Sequence, residues 1–455
     1  MNTKTENSGV DMLNGPLLKK ILLFALPLAA SSVLQQFFNS ADVAVVGHFA
    51  GSEALAAVGS NTPIINLLIN IFVGMSVGAN VVIGMFLGQK KEEQVSRAVH
   101  TVMLLSVVTG IALIFIGWFL TAPLLELIKT PENVIGLASV YLRIYFMGMP
   151  FFMFYNFGAA VLRSRGDTNR PLLCLIVSGV VNVLLNLFFV IVLGMGVAGV
   201  GIATLIANAV SASMIACFLL GERSSLRLYP SKLSFNVPIL LRVIKIGVPA
   251  GIQGMIFSFS NVCIQSAINS FGPDAMAGSA AAQNFEFFSY FVINSFNQAA
   301  VTFISQNFGA GKMDRCSKVY RLCMISSFVM TGIMSSSFVL GRNIFLRFYT
   351  SDESVLVYGA MRLVFIESFG AIPCSYEISA SALRGMGYSM LPAVLTMIGS
   401  CLLRIVWLLT VFKIFPDFRV LMAVYPFSWS VTGVMLIAAY IIIRKKLVCV
   451  QTRKN

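Results

Sequence analysis

The chain has 455 residues, 57% hydrophobic and only 11% charged, with a formal net charge of +14. A soluble chain carries about 25% charged residues, so this composition excludes an ordinary soluble protein and points to a polytopic α-helical membrane protein. Uncharged runs at 101–120, 172–193 and 431–443 fit helices that need about 20 apolar residues to span a bilayer.

Taken in chain order, the first six predicted helices are 18–47, 54–87, 98–120, 134–161, 171–193 and 197–220. The next six are 240–270, 276–307, 318–340, 354–382, 391–412 and 421–443. Twenty mostly polar residues precede the first apolar run, which starts at Ile21, so no cleavable leader is expected and the first helix is retained. That helix carries Gln35, Asn39 and Asp42, which share a face at the 3.6 period. They form a polar stripe expected to point into the interior of the first lobe. A carboxylate at such a depth costs roughly 2.5–3.5 kcal/mol on insertion scales, so Asp42 needs an offsetting role.

In the fifth helix Asn182 and Asn186 lie four apart and share a face. The eighth carries a second stripe, Gln283, Glu286, Tyr290, Asn294 and Asn297. Such stripes most often hydrogen-bond helix to helix, whereas the ionisable Glu286 also suits a cationic substrate. Glu377, equivalent to Asn156 across the repeat described below, and Glu367 lie in the tenth. Arg404 in the eleventh needs a counter-ion and could pair with one of these glutamates, in which case both are structural. Phe37 and Met153, among 37 Phe and 22 Met, are candidates to line a soft cavity for apolar cations. The substrate-contact candidates are therefore Glu286, Gln283, Tyr290, Asn156, Glu377, Met153 and Phe37.

Charge distribution sets the topology. With the N-terminus inside, inner loops and tails hold 24 Lys and Arg, against five outside (Lys129, Arg342, Arg347, Lys413 and Arg419). Arg143, Arg362 and Arg404 fall within helices. This bias puts both termini in the cytoplasm and explains the basic balance without a nucleic-acid partner. Eight scattered cysteines without CxxC spacing and two histidines give no metal-ligand cluster. No catalytic cluster is found either, so an enzyme is not expected.

The two halves repeat. An offset of 222 aligns Pro27 with Pro249 and Asn39 with Asn261; an offset of 221 aligns Gly88 with Gly309, Tyr155 with Tyr376 and Leu162-Arg163 with Leu383-Arg384. Because each half has six helices, the repeats are parallel, a transporter architecture. The expected fold is all-α, twelve transmembrane helices in two six-helix lobes related by a pseudo-twofold axis. The lobes are residues 1–220 and 246–455, joined by a basic linker at 221–245. Pro27, Pro249, Pro150 and Pro373 are expected to bend their helices, as static kinks or as hinges.

At these residues the chain resembles a known family. "FNSADVAVVGHFAGSEALAAVG", "GQKKEEQVSRAVHT", "LRSRGDTNRP" and "GMGVAGVGIATLIA" in the first half, with "FGAGKMDRC" and "LRGMGYSMLP" in the second, resemble the multidrug and toxic compound extrusion (MATE) family. The resemblance covers nearly the whole chain. It implies a multi-pass protein of the plasma membrane, here taken as a monomer, that exports amphipathic, often cationic drugs in exchange for H⁺ or Na⁺. Such a protein confers antibiotic resistance and needs no cofactor beyond the coupling ion. In the family the fifth helix often carries an Asn and an Asp four apart. Asn182 matches the first, but Asn186 stands where the aspartate would be, leaving Asp42 as the lone first-lobe carboxylate. The cation-coupling candidates are thus Asp42, Asn182, Asn186, Asn39 and Gln35, with Na⁺ at Asp42 as the one metal reading. Two readings of Asp42 stay open, ion coupling or a structural bond between helices. The alternative function is a flippase of lipids or lipid-linked oligosaccharides on a related plan.

Overall fold

The computed structural model describes residues 9–127 and 130–452. Of the charged residues counted above, Lys4, Lys129, Arg453 and Lys454 lie outside the described residues.

Each of the twelve apolar segments is helical. The first half comprises α1 (Leu17–Phe49), α2 (Ser52–Gly88), α3 (Glu92–Leu127), α4 (Glu132–Met147), α5 (Met149–Ser164), α6 (Asn169–Leu187) and α7 (Gly196–Leu220). A π-helical turn, Phe188–Val192, continues α6. The second half comprises α8 (Val237–Asn269), α9 (Pro273–Gly309), α10 (Met313–Leu340), the short α11 (Arg342–Arg347), α12 (Glu353–Glu367) and α13 (Pro373–Gly385). It ends with α14 (Met390–Thr396), a π-helical stretch Met397–Leu402, α15 (Leu403–Leu409), α16 (Val411–Ile414) and α17 (Phe418–Thr452). Among the described residues nine helices are long and apolar enough to cross a membrane, ten if α4 and α5, bent by 46° at their junction, count as one.

Pro150 and Pro373 do not bend helices from within. Pro150 stands in the first turn of α5 and Pro373 opens α13, positions where the missing N–H has no intrahelical acceptor to lose. Pro27 and Pro249 stay inside continuous helices; Ser31 Oγ donates to the Pro27 carbonyl at 2.8 Å.

The repeat is written into the backbone. α2 and α9 start and end 221 residues apart. Three left-handed positions recur at the same offset: Gly51 (φ 89) with Gly272 (φ 94), Gly166 (φ 99) with Gly387 (φ 90), and Lys90 (φ 57) with Gly311 (φ 72). Glycine reaches positive φ without a steric cost, so these turns are built at matching junctions of the two halves.

The chain forms two compact units. One holds Leu26–Gly251 with the residues up to Met12; the other holds Leu13–Ala25 and Ile252–Asn455. One boundary falls between Met12 and Leu13, ahead of α1; the other two fall within α1 and α8, each within two residues of Pro27 or Pro249. In the first unit α2 meets the early part of α8 backbone to backbone. A Cβ on Gly74 would lie 2.3 Å from the Gly251 nitrogen, and one on Gly78 2.4 Å from the Val243 carbonyl oxygen. Two small-xxx-small pairs, Gly74/Gly78 and Gly247/Gly251, permit this approach, as in membrane helix pairs generally.

The segment after α7 is also tied to the first unit. His100 Nδ1 lies 2.6 Å from the Ser96 carbonyl, and the Tyr229 N–H donates to Nε2 at 3.0 Å. The two contacts suit a ring that donates from Nδ1 and accepts at Nε2. In the second unit Phe285, Phe338 and Phe345 meet with ring centroids 5.4 Å apart, around buried Leu346 of α11.

Candidate cation-binding site

Three helices of the first unit build a cluster of oxygens. Asp42 projects from α1, Asn182 and Asn186 from one face of α6, and Thr204 from α7. Asn186 Nδ2 donates to Asp42 Oδ1, and also to Asn182 Oδ1 at 3.3 Å. Asn182 Nδ2 in turn donates to Thr204 Oγ1 at 3.4 Å. Both hydrogens of the Asn186 amide are thereby engaged, while its Oδ1 is buried without a hydrogen-bond partner. A buried acceptor of this kind costs about 1–3 kcal/mol when left unmade. α4 brings Tyr141 and Tyr145 within electrostatic range of Asp42. The π turn begins two residues after Asn186; such turns often accompany functional sites.

The donor set is one carboxylate, two amides and a hydroxyl. Hard cations prefer oxygen ligands, and the orphaned Asn186 Oδ1 beside a carboxylate would accept either a proton donor or a sodium ion. Of the stripe on α1, only Asp42 joins this network. Gln35 and Asn39 are exposed, which corrects the expectation that all three face inward. Asn39 lies about 60° around the helix from Asp42, and α6 meets only the edge that carries the aspartate. Thr204 was not legible, because an isolated threonine in an apolar helix has no distinguishing pattern.

In the second unit one buried carboxylate pairs with a buried arginine. Glu286 receives Arg362 Nε at 2.7 Å and Nη2 at 2.9 Å, a two-pronged bond with both side chains largely buried. Both Glu286 oxygens are thus engaged, so Glu286 is corrected from an open substrate contact to the partner of Arg362. The charge of Arg362 within an apolar segment was the available sign of such a bond. Glu377 Oε2 accepts from Asn297 at 2.8 Å, and Asn297 Oδ1 accepts from Ser381. Glu367, 3% exposed, accepts from Ser289 at 2.9 Å.

Among the described residues Arg404 forms no ion pair with a glutamate, so the pairing open to it in the sequence is not made. It donates to Asn261 Oδ1 at 3.0 Å and Ser428 Oγ at 3.1 Å. α12 sends Arg362, not a carboxylate, toward the Tyr425 ring that Arg404 also faces. Of the remaining candidates, Tyr290 lies within electrostatic range of Glu377. Asn156 donates to its own helix at Phe152 O, 2.8 Å away. Met153 is fully buried and packs the core instead of lining a space, while Phe37 and Tyr290 are exposed; Gln283 is half-buried.

The MatE family profile matches residues 27–188 and again 249–409. The chain belongs to the MatE family. The two matched stretches are the two halves of the repeat, and MatE proteins are transporters embedded in membranes. Among curated relatives, the "Probable multidrug resistance protein YoeA" of Bacillus subtilis is 29% identical over 388 residues, 83% of each chain. The "FAD transporter" of Shewanella oneidensis is 22% identical over 373 residues, 80% of each chain. A solved structure described as "MATE in the bent conformation" superposes with a TM-score of 0.91 at 19% identity, covering 98% of this chain and 100% of that one. This likeness shows the MatE fold.

Proposed function

We propose that this protein is a secondary multidrug exporter of the cell membrane that exchanges amphipathic, often cationic compounds for a cation bound at Asp42. The observation that carries the reading is the orphaned Asn186 Oδ1 beside the Asp42 carboxylate. It is an oxygen site in apolar surroundings with an acceptor left over for an ion. Similarity to the Bacillus subtilis probable multidrug resistance protein supports multidrug export. Cation binding at Asp42 would draw α1 and α6 together and favour one packing of the first unit; drug binding would favour another. The two ligands then compete through conformation. Pro27 and Pro249, at the points where α1 and α8 pass from one unit to the other, are suited to act as hinges for alternating access. The basic bias of one set of loops supports cytoplasmic termini.

The test is efflux of a fluorescent cation, ethidium, from vesicles containing the purified protein, under separately imposed pH and sodium gradients. Acceleration by one gradient names the coupling ion. Efflux that ignores both gradients rejects the proposal.

A further inference from the structure

The second unit copies the frame that holds Asp42, and the copy carries the opposite charge. Across the repeat Asn39 corresponds to Asn261 and Asp42 to Ile264. α6 and α14 start 221 residues apart, at Asn169 and Met390. The π stretch of the second half, Met397–Leu402, comes before Arg404, whereas that of the first half follows Asn186. A π bulge adds one residue to a helix, so beyond it the offset becomes 222. The position of Asn182 is then held by Arg404.

Arg404 is 1% exposed. Its Nε and Nη1 donate to Ser428 and Asn261, and its guanidinium carbon lies 4.8 Å from the Tyr425 ring centre and 5.1 Å from that of Phe257. Nη2 has no hydrogen-bond partner. Among the described residues no carboxylate hydrogen-bonds it, and Arg362, which also faces the Tyr425 ring, is held by Glu286. Arg384, by contrast, has Glu377 in electrostatic range and donates to Gln253 at 2.7 Å. Amide, hydroxyl and ring faces moderate a buried guanidinium but do not neutralise it, and an uncompensated buried charge is strongly destabilising. Guanidinium is also the side chain best shaped to take a carboxylate.

We propose that Arg404 is the core of a site for one anionic group, with Nη2 as the donor that the ligand completes and Asn261 and Ser428 as the groups that hold the guanidinium in place. The ligand class is a monovalent anion, supplied either by the carboxylate of an amphipathic substrate or by an inorganic ion such as chloride. Phe257, only half-buried, is the covering side chain whose movement opens it. The substrate source rests on the transporter reading above; the anion site itself does not.

The experiment is a binding measurement on the full-length protein in nanodiscs, with Trp118 and Trp407 changed to Phe. The remaining Trp429 lies 5.6 Å, ring to ring, from Tyr425 and reports on the site by fluorescence. Cyclohexanecarboxylate, its uncharged methyl ester and chloride are titrated in turn, without any gradient. A saturable response to the carboxylate but not the ester assigns the substrate source, and one to chloride alone assigns the inorganic source. Either response should disappear in Arg404→Gln and persist in weakened form in Arg404→Lys. Should Arg404→Gln not fold, Asn261→Ala provides the comparison, with binding weaker by about tenfold for one lost hydrogen bond. No saturable response to either anion overturns the proposal, as does a response unchanged in these variants. Ethidium efflux under gradients, run on the same variants, reports separately on the export reading.

Discussion

Changing Asp42 to Asn removes the charge and keeps the shape. The new amide oxygen accepts from Asn186 Nδ2 as the carboxylate does, so α1, α6 and α7 stay joined and the protein should remain folded. What disappears is the attraction for a cation. Two unit charges about 4 Å apart interact by about 4 kcal/mol at an effective dielectric of about 20. Losing that corresponds to about 10³-fold weaker ion binding. Efflux of ethidium from vesicles should therefore fall to the rate seen without a gradient, at unchanged protein level. The geometry supplies a second, sharper arm. Asn186 is hydrogen-bonded to Asp42 and fully buried, so the double variant Asp42→Asn/Asn186→Asp moves the carboxylate across one hydrogen bond within the same oxygen cluster. It should recover part of the gradient response. If Asp42→Asn exports at the normal rate with the same ion dependence, Asp42 is a structural bond only and the coupling argument fails.

Three further outcomes are expected. Glu286→Gln leaves Arg362 buried without its carboxylate, and breaking such a pair costs about 3–5 kcal/mol; the melting temperature of the solubilised protein should fall, and Glu286→Gln/Arg362→Met should restore most of it. Gly247→Leu forces a side chain into a space where even a Cβ would lie 2.4 Å from Met75 Cα, an overpacking cost of at least about 1–3 kcal/mol. Poor folding yield is the readout, with the exposed Gly59, whose Cβ would meet nothing, as the tolerated control for substitution by Ala. In the segment after α7, burial by itself would raise the Glu222 carboxyl, yet the hydrogen bond from Arg170 and the charges of Arg165 and Arg170 hold it below its ordinary value. Its contribution is then complete above the unfolded glutamate value of about 4.3 and is lost as pH falls through the lower folded value. Amide exchange around residues 222–228, corrected for intrinsic rates, should rise only in that acid range, whereas Glu222→Gln should raise it at neutral pH.

Hydropathy, charge bias and the offset repeat determined the fold class, because a bilayer admits helices whose backbone bonds close within themselves. Every apolar segment read from the sequence is helical, and the prolines at 150 and 373 marked real breaks, though as helix starts. Asp42 was identifiable as a lone carboxylate in an apolar run, and the four-residue spacing of Asn182 and Asn186 placed them together. Periodicity within one helix, however, says nothing about which neighbour covers which edge. Gln35 and Asn39 therefore share the period of Asp42 yet stay exposed, Thr204 has no sign in its own helix, and Glu286, open by its helix alone, is held by Arg362. Arg404 shows the same limit most clearly. Its burial needed a partner, but only the packing of α8, α15 and α17, together with a one-residue π insertion in the preceding turn, decided that the partners would be an amide, a hydroxyl and two rings.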